Sequence, residues 1–341
     1  MERGGRCSPP CPIGGKAMSM PSLRHHLSLL AAVLCLLAAA IHPLRAETAL
    51  PGGEGGAQPD GVFPRQLRHP FGETRIPSAP SRIVVLSTGQ IDAALTLGVV
   101  PVGATRVEGR GLYGAYLADA FASQRAKLDA MADLGGRASP DVEAIAQLHP
   151  DLILMNAALL KRDLYERLSR IAPTVVTHGT GVNWQVDFLL LADALGKRGT
   201  AEAFLDRFHA DARADAVRWR DHPPAVSFLM SLAGRTRVFG VSSFAGGIAQ
   251  ELGLVRPADQ RFSETSQDIS AELLDRADAD WIFFAGRGGA REGVAASPLW
   301  PTLNAVRARH AVAVDLDAFY LNAGPTAARH VLDTVASAIG R

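Results

Sequence analysis

Short apolar runs alternate along this chain with stretches in which apolar residues recur every three or four positions. Ile83–Leu86, Leu152–Met155, Val226–Met230 and Trp281–Phe284 are runs of the first kind, and Val99–Gly103, Ala172–Val176, Arg237–Gly240 and Ala311–Val314 are weaker ones. Bounded by Gly, Pro and Ser, they predict strands, most of them buried. Between them, Gln90–Leu97, the segment opened by Ser139-Pro140-Asp141, Ser242–Leu252 and Pro325–Ile339 carry the helical period. Strand, helix and strand in succession build parallel sheets. His69-Pro70-Phe71-Gly72-Glu73-Thr74-Arg75-Ile76-Pro77 reads as a small hairpin ahead of the first strand.

The longest periodic stretch lies near the middle, from Trp184 to Arg220. Phe204, Leu205, Phe208, Ala212, Ala216 and Trp219 fall on one face, and Asp, Glu and Arg fill the other. Gly196 and Gly199 divide it into a short helix and a longer one, Thr200–Arg220, roughly 30 Å long at 1.5 Å per residue. It reads as a rigid strut between two lobes.

The pattern before the strut returns after it. Ser139–Asn156 and Ser266–Gly286 each run Ser, Asp, an aliphatic residue, Glu, a helix, an Asp and a strand, which makes Glu143 and Glu272 equivalent. The predicted fold is α/β, with two Rossmann-like lobes joined by a single long helix and a ligand cleft between them. Its parts are a leader and signal peptide (1–46), a flexible linker (47–68), an N-terminal lobe (69–183), connecting helices (184–222) and a C-terminal lobe (223–341). Ligands of open α/β sheets sit beyond the carboxyl ends of the strands, and two such lobes turn those ends into one cleft.

The leader has its own pattern. Arg24, His25 and His26 precede the apolar run Leu27–Ile41, and Ala46 stands before Glu47. About fifteen apolar residues are too few for a membrane span of about twenty and suit a cleavable secretory signal cut near Ala46. Met18 or Met20 is an alternative start. Leu34, where a lipoprotein signal carries a small residue, speaks against a lipid anchor on Cys35. All three cysteines (Cys7, Cys11, Cys35) lie in this leader, which predicts a mature chain without disulfides or thiolate chemistry. Removing residues 1–46 takes away five basic residues and one acidic one, turning a formal charge of +1 into −3. That balance gives no support for nucleic-acid binding.

The motifs of enzymes are mostly missing: there is no Walker loop, no His-Glu-x-x-His and no nucleophile elbow. The histidines lack metal-ligand spacing, so no metal site and no catalytic residue is predicted. Arginines recur instead where loops follow strands: Arg106, Arg137, Arg235, Arg237 and Arg287. Planar guanidinium forks suit carboxylates and other oxyanions. Tyr320 and Asn322, between a strand and the last helix, either offer stacking and hydrogen bonds or close a turn. Thr88 and Ser243, at the starts of helices in each lobe, and Phe262 complete the predicted ligand-binding set. Glu143 and Glu272 lie near helix starts, where the dipole favours an acid. Two equivalent acids also suit docking on a partner built of two like subunits with basic pockets.

Five ordered blocks carry a resemblance: the His69–Ser87 segment, Leu134–Ile153, Arg170–Val176, Ile269–Phe283 and Ser297–Val312. The chain from His69 onward resembles the periplasmic binding proteins of iron–siderophore ABC importers, the group of ferric-hydroxamate, ferric-dicitrate and cobalamin binders. The resemblance implies two α/β lobes bridged by a long helix, a shallow cleft and little closure. It implies that Arg137 holds the oxygens of a ferric centre, that Tyr320 lines the cleft, and that Glu143 and Glu272 pair with arginines of the two permease subunits. Ala157, Ala158 and Leu159 stand where hydroxamate binders carry a cleft tyrosine, and Phe262 where a tryptophan is often found. With the added arginines, this points to a carboxylate- or catecholate-type chelate. The expectation is a monomeric periplasmic protein without cofactor that delivers a ferric siderophore to an inner-membrane importer. The alternatives are haem, with Tyr320 as an axial ligand, cobalamin, and a secreted α/β enzyme.

Overall fold

Ile83, Val84 and Val85 are all fully buried, as befits a strand covered on both faces. The computed structural model, which describes residues 50–232, 235–286 and 293–340, builds two sheets around such strands. A hairpin of β1 (Arg65–His69) and β2 (Gly72–Ile76) leads in. The first half continues through β3 (Ile83–Val85), α1 (Thr88–Thr96), β4 (Gly103–Arg106), α2 (Ala115–Ala120), α3 (Arg125–Asp129) and β5 (Ala132–Gly136). It closes with β6 (Ser139–Pro140), α4 (Val142–Gln147), β7 (Leu152–Asn156), α5 (Arg162–Leu168) and β8 (Thr174–Thr177). The sheet order is β6-β5-β4-β3-β7-β8, parallel except for β6.

Two helices follow, α6 (Trp184–Leu195) and α7 (Arg198–Ala216). Trp184 meets Phe208 and Phe188 meets Phe204, with ring centroids 5.2 and 5.6 Å apart. The pairing runs in opposite senses, so the helices lie antiparallel. The crossing is thus a helical hairpin, where the spacing predicts one strut. Gly196 makes the turn with φ 65°, a left-handed conformation in which a side chain is strained. A Cβ there would also stand 3.1 Å from the Phe63 ring. Gly199 lies inside α7 and breaks nothing.

The second half contains β9 (Val226–Leu232), β10 (Arg235–Phe239), α8 (Phe244–Glu251), β11 (Ser266–Ile269), β12 (Trp281–Gly286), α9 (Asn304–Arg307), β13 (Ala311–Ala313) and α10 (Pro325–Ile339). Its sheet order is β11-β10-β9-β12-β13. Here β10 runs antiparallel to β9, whereas β4 is parallel to β3, so the repeat is architectural and local. Val85 and Leu154 of the first sheet share one apolar cluster with Phe228 and Phe283 of the second. A shared core of this kind resists rotation of one half against the other.

Residues 50–68 correct the expectation of a flexible tether. Leu50 and Leu67 are buried, and so is Arg65, whose guanidinium donates to the carbonyls of Pro59 and Asp193. Asp60 accepts the backbone N–H groups of Arg198 (2.6 Å) and Gly199 (2.8 Å), capping α7 from outside the helix. Gly- and Pro-rich composition reads as a tether, but Asp60 and Arg65 bind this segment to the ends of α6 and α7.

Candidate ligand-binding cleft

The strand ends of the first sheet are tied by one side chain. Gln90, buried in α1, accepts the N–H of Leu86 (3.3 Å) and donates to the Met155 carbonyl (2.9 Å) and the Thr177 hydroxyl (3.1 Å). It thereby joins the carboxyl ends of β3, β7 and β8. Asn156, the last residue of β7, accepts the N–H of Ala158 (2.8 Å) and reaches Ser87 and Gly179. Above this floor opens a cavity of about 200 Å³, lined by Ser87, Arg137, Asn156, Thr180, Trp184 and Asp187, among others. Leu321, Ala323 and Pro325 of the second half close it from the other side.

Arg137 is half-buried on this cavity, directly after β5, with its N–H bonded to the Arg106 carbonyl (2.9 Å). Asp187, in the first turn of α6, accepts the N–H groups of His178 (2.8 Å) and Gly179 (2.7 Å). Desolvation pushes its pKa up to about 6 against the pull of those donors. Behind it Glu54 meets the His178 ring at 2.8 Å. Sequence reading missed Gln90, Asn156 and Asp187. Asn156 is a lone polar residue between apolar runs and Asp187 opens one, which is the signal that marks them; Gln90, among Ser87, Thr88 and Asp92, leaves no such signal.

The halves are also joined at the start of α10. Asp92 of α1, fully buried, accepts the N–H groups of Thr326 and Ala327 (both 2.9 Å) and the Tyr116 hydroxyl (3.2 Å). Desolvation raises its pKa. Thr88 bridges the same seam by donating to the Leu321 carbonyl (3.3 Å), and it also lines the cavity.

Six of the other predicted ligand contacts have partners within the fold. Arg106 pairs with Asp133 (2.8 Å), and Arg235 and Arg237 both pair with Asp268 (3.0 and 2.7 Å). Those arginines hold Asp133 and Asp268 below the usual carboxylate range. Two aspartates thus pair with three of the five arginines that pointed to a carboxylate- or catecholate-type chelate, and offset two of their charges. The Tyr320 hydroxyl points inward to the Phe283 carbonyl (2.7 Å), and its ring stacks on Phe239 at 4.7 Å. Burial raises its pKa, which disfavours the phenolate that an axial haem ligand would supply. Ser243 caps α8, accepting the Gly246 N–H (3.0 Å) and donating to the Gly240 carbonyl (2.7 Å). Phe262 packs over Gly240, where an added Cβ would meet its ring at 2.5 Å. Arg287 lies outside the described residues.

Glu143 and Glu272 are both exposed. Each stands two residues after the cap of a short helix, Asp141 for α4 and Ser270 for the 3-10 helix Ala271–Ala277. A hydrogen bond from Ser270 lowers the Glu272 pKa.

A small cavity at the carboxyl ends of parallel strands, closed by a second α/β half, defines a two-lobed solute-binding protein. The chain belongs to the periplasmic binding protein family, whose model matches residues 83–318. A probable siderophore-binding lipoprotein of Bacillus subtilis is 31% identical over 290 residues, covering 80% of this chain and 86% of the relative. The Fe(3+) dicitrate-binding periplasmic protein of Escherichia coli is 25% identical over 283 residues, covering 80% of this chain and 90% of its own. Staphylococcus aureus SirA complexed with staphyloferrin B superposes with a TM-score of 0.69 at 26% identity, over 81% of this chain and 98% of that one.

Proposed function

We infer that the protein captures a ferric siderophore in the cleft between its halves and delivers it to an ABC importer of the inner membrane. The observation that carries this is the half-buried Arg137 on a cavity at the carboxyl ends of β3, β7 and β8, in a family whose relatives are named for siderophores and ferric citrate. A guanidinium there meets the anionic oxygens that surround chelated iron. The protein binds and releases its ligand without transforming it. The decisive experiment is a tryptophan-fluorescence titration of the mature chain against ferric hydroxamate, ferric citrate, a ferric catecholate, haem and cobalamin. Saturable binding of one ferric chelate, weakened at least tenfold by Arg137→Ala, is the expected result. Binding of haem or cobalamin alone would overturn the ligand.

Delivery rests on Glu143 and Glu272, matched acids on the two halves, each offered to a basic pocket of one permease subunit. Reversing both charges (Glu143→Arg with Glu272→Arg) should abolish uptake while the ligand still binds. Uptake at the parental rate would remove the docking role. The lobes span 69–183 and 223–341, with 184–222 between them, and the protein acts as a monomer. Mass spectrometry of the exported protein should find an N-terminus near Glu47, as a cleaved signal requires. A lipid on Cys35 would replace this with an anchored form.

A further inference from the structure

Beside the Arg137 cavity lies a second chamber of about 230 Å³, and Thr88 lines both. One wall is the glycine-rich loop 107–115 of the first half; the other is Asp315, Asp317 and Asn322 of the second. The walls approach because Gly114 has no side chain: a Cβ there would stand 2.9 Å from the Asp317 Cβ.

Three charged side chains line this chamber, Arg110, Asp315 and Asp317. Arg110 donates to Asp317, which neutralises that pair and leaves Asp315 as the net charge. One Asp315 oxygen accepts the Ala318 N–H at 2.8 Å, and the other has no hydrogen bond among the described residues. Asn322 is only 5% exposed. Its Nδ2 donates to the Tyr116 hydroxyl (3.1 Å), whose own proton goes to Asp92. That relay fixes the amide, and Oδ1 is left buried with no partner among the described residues. A buried acceptor without a donor is costly, so the fold holds it for something.

The acceptors left over at this chamber are the second Asp315 oxygen and, buried in its wall, Asn322 Oδ1, beside one net negative charge. The geometry points to a subsite for a protonated amine arm of the chelator, next to the cavity in which Arg137 meets the iron-bound oxygens. An ammonium supplies both the donors and the positive charge. The inference rests on the siderophore reading above and deepens it: cation on one side of Thr88 and acceptors on the other orient the ligand.

The test uses two ferric bis-catecholates with linkers of equal length, one carrying a secondary amine protonated at pH 7.4 and one an ether oxygen in its place. Both are titrated against the mature protein and against Asp315→Asn, which keeps an oxygen for the Ala318 N–H. The parent should bind the amine-linked chelate at least tenfold more tightly, and the variant should shrink that preference to within threefold. Equal affinities in the parent, or a preference that survives Asp315→Asn, overturn the subsite and leave the siderophore reading standing. Binding of neither chelate overturns the subsite and excludes a bis-catecholate as the ligand, while the siderophore reading is decided by the five-ligand panel above.

Discussion

Asp151 and Asp280 make the same bond in the two halves of the molecule. Each immediately precedes the second central strand of its sheet, and each carboxylate accepts a backbone N–H just ahead of the first. Asp151 takes those of Arg82 (2.9 Å) and Ser81 (2.7 Å), and Asp280 takes that of Ala225 (2.7 Å). The staple holds the start of β3 beside β7 and the start of β9 beside β12.

Asp151 also accepts the Ser81 hydroxyl (2.8 Å), so three donors lose their acceptor when it is removed. Asp151→Ala should therefore cost about 1–2 kcal/mol, and Asp280→Ala under about 1 kcal/mol, in urea unfolding at neutral pH. Equal losses would mean that the number of donors is not what sets the cost.

Asp92 is the corresponding staple between the halves. Removing its carboxylate strands the N–H groups of Thr326 and Ala327 in the interior. Asp92→Ala should cost about 2–4 kcal/mol. Asp92→Asn, which keeps one acceptor, should cost less. Hydrogen exchange reads the mechanism: the first turn of α10 should lose protection before the strands of either sheet. Uniform loss across the molecule would instead make Asp92 a general core residue.

Acid should find a different weak point, His69. It is buried in β1, with Nδ1 accepting the Phe71 N–H (3.2 Å). Nε2 therefore donates to the Thr74 hydroxyl (2.9 Å), which donates onward to the Thr174 carbonyl (2.7 Å). Burial, and then the nearby Arg162, lower its pKa from 6.5 to about 4. A depressed folded-state value means that the neutral ring's contribution is complete above pH 6.5. It is lost as pH falls towards 4, by about 3 kcal/mol at the acid end. Denaturation midpoints at pH 7.5, 5.5 and 4.5 should fall more steeply for the parent than for His69→Gln. Parallel curves would place the acid sensitivity elsewhere.

How far the sequence reveals the site depends on what kind of evidence each residue leaves. Buried strands such as Ile83–Val85 and Leu152–Asn156 declare themselves by continuous apolar runs, because burial on both faces admits little else. The repeat around Glu143 and Glu272 is visible because cap, acid and strand keep a fixed order. Arg106, Arg235 and Arg237 look like ligand contacts in the sequence because Asp133 and Asp268, which neutralise them, are brought in by strand pairing. The partner of Tyr320 is hidden for a similar reason: the Phe283 carbonyl is a backbone atom 37 residues away. The helical hairpin of α6 and α7 reads as a strut because its apolar faces have the same period whether the two helices stack end to end or fold back.

Asp187 carries the pH dependence of binding itself. It shares the cavity with Arg137 and lies against His178 and Glu54, with a pKa of about 6. A carboxyl with a raised folded-state pKa contributes stability that is complete below its ordinary value of 3.8 and is lost as pH rises through 6. Over the same range the cavity gains one negative charge. A negatively charged ferric chelate whose own charge is constant between pH 5 and 7.5 should therefore bind about tenfold more tightly at pH 5. Asp187→Asn should flatten that slope and raise affinity at pH 7.5 towards the parent's value at pH 5. Isothermal titration of both proteins at the two pH values checks this. A slope unchanged by the substitution would mean that the charge felt by the ligand is set by a group other than Asp187.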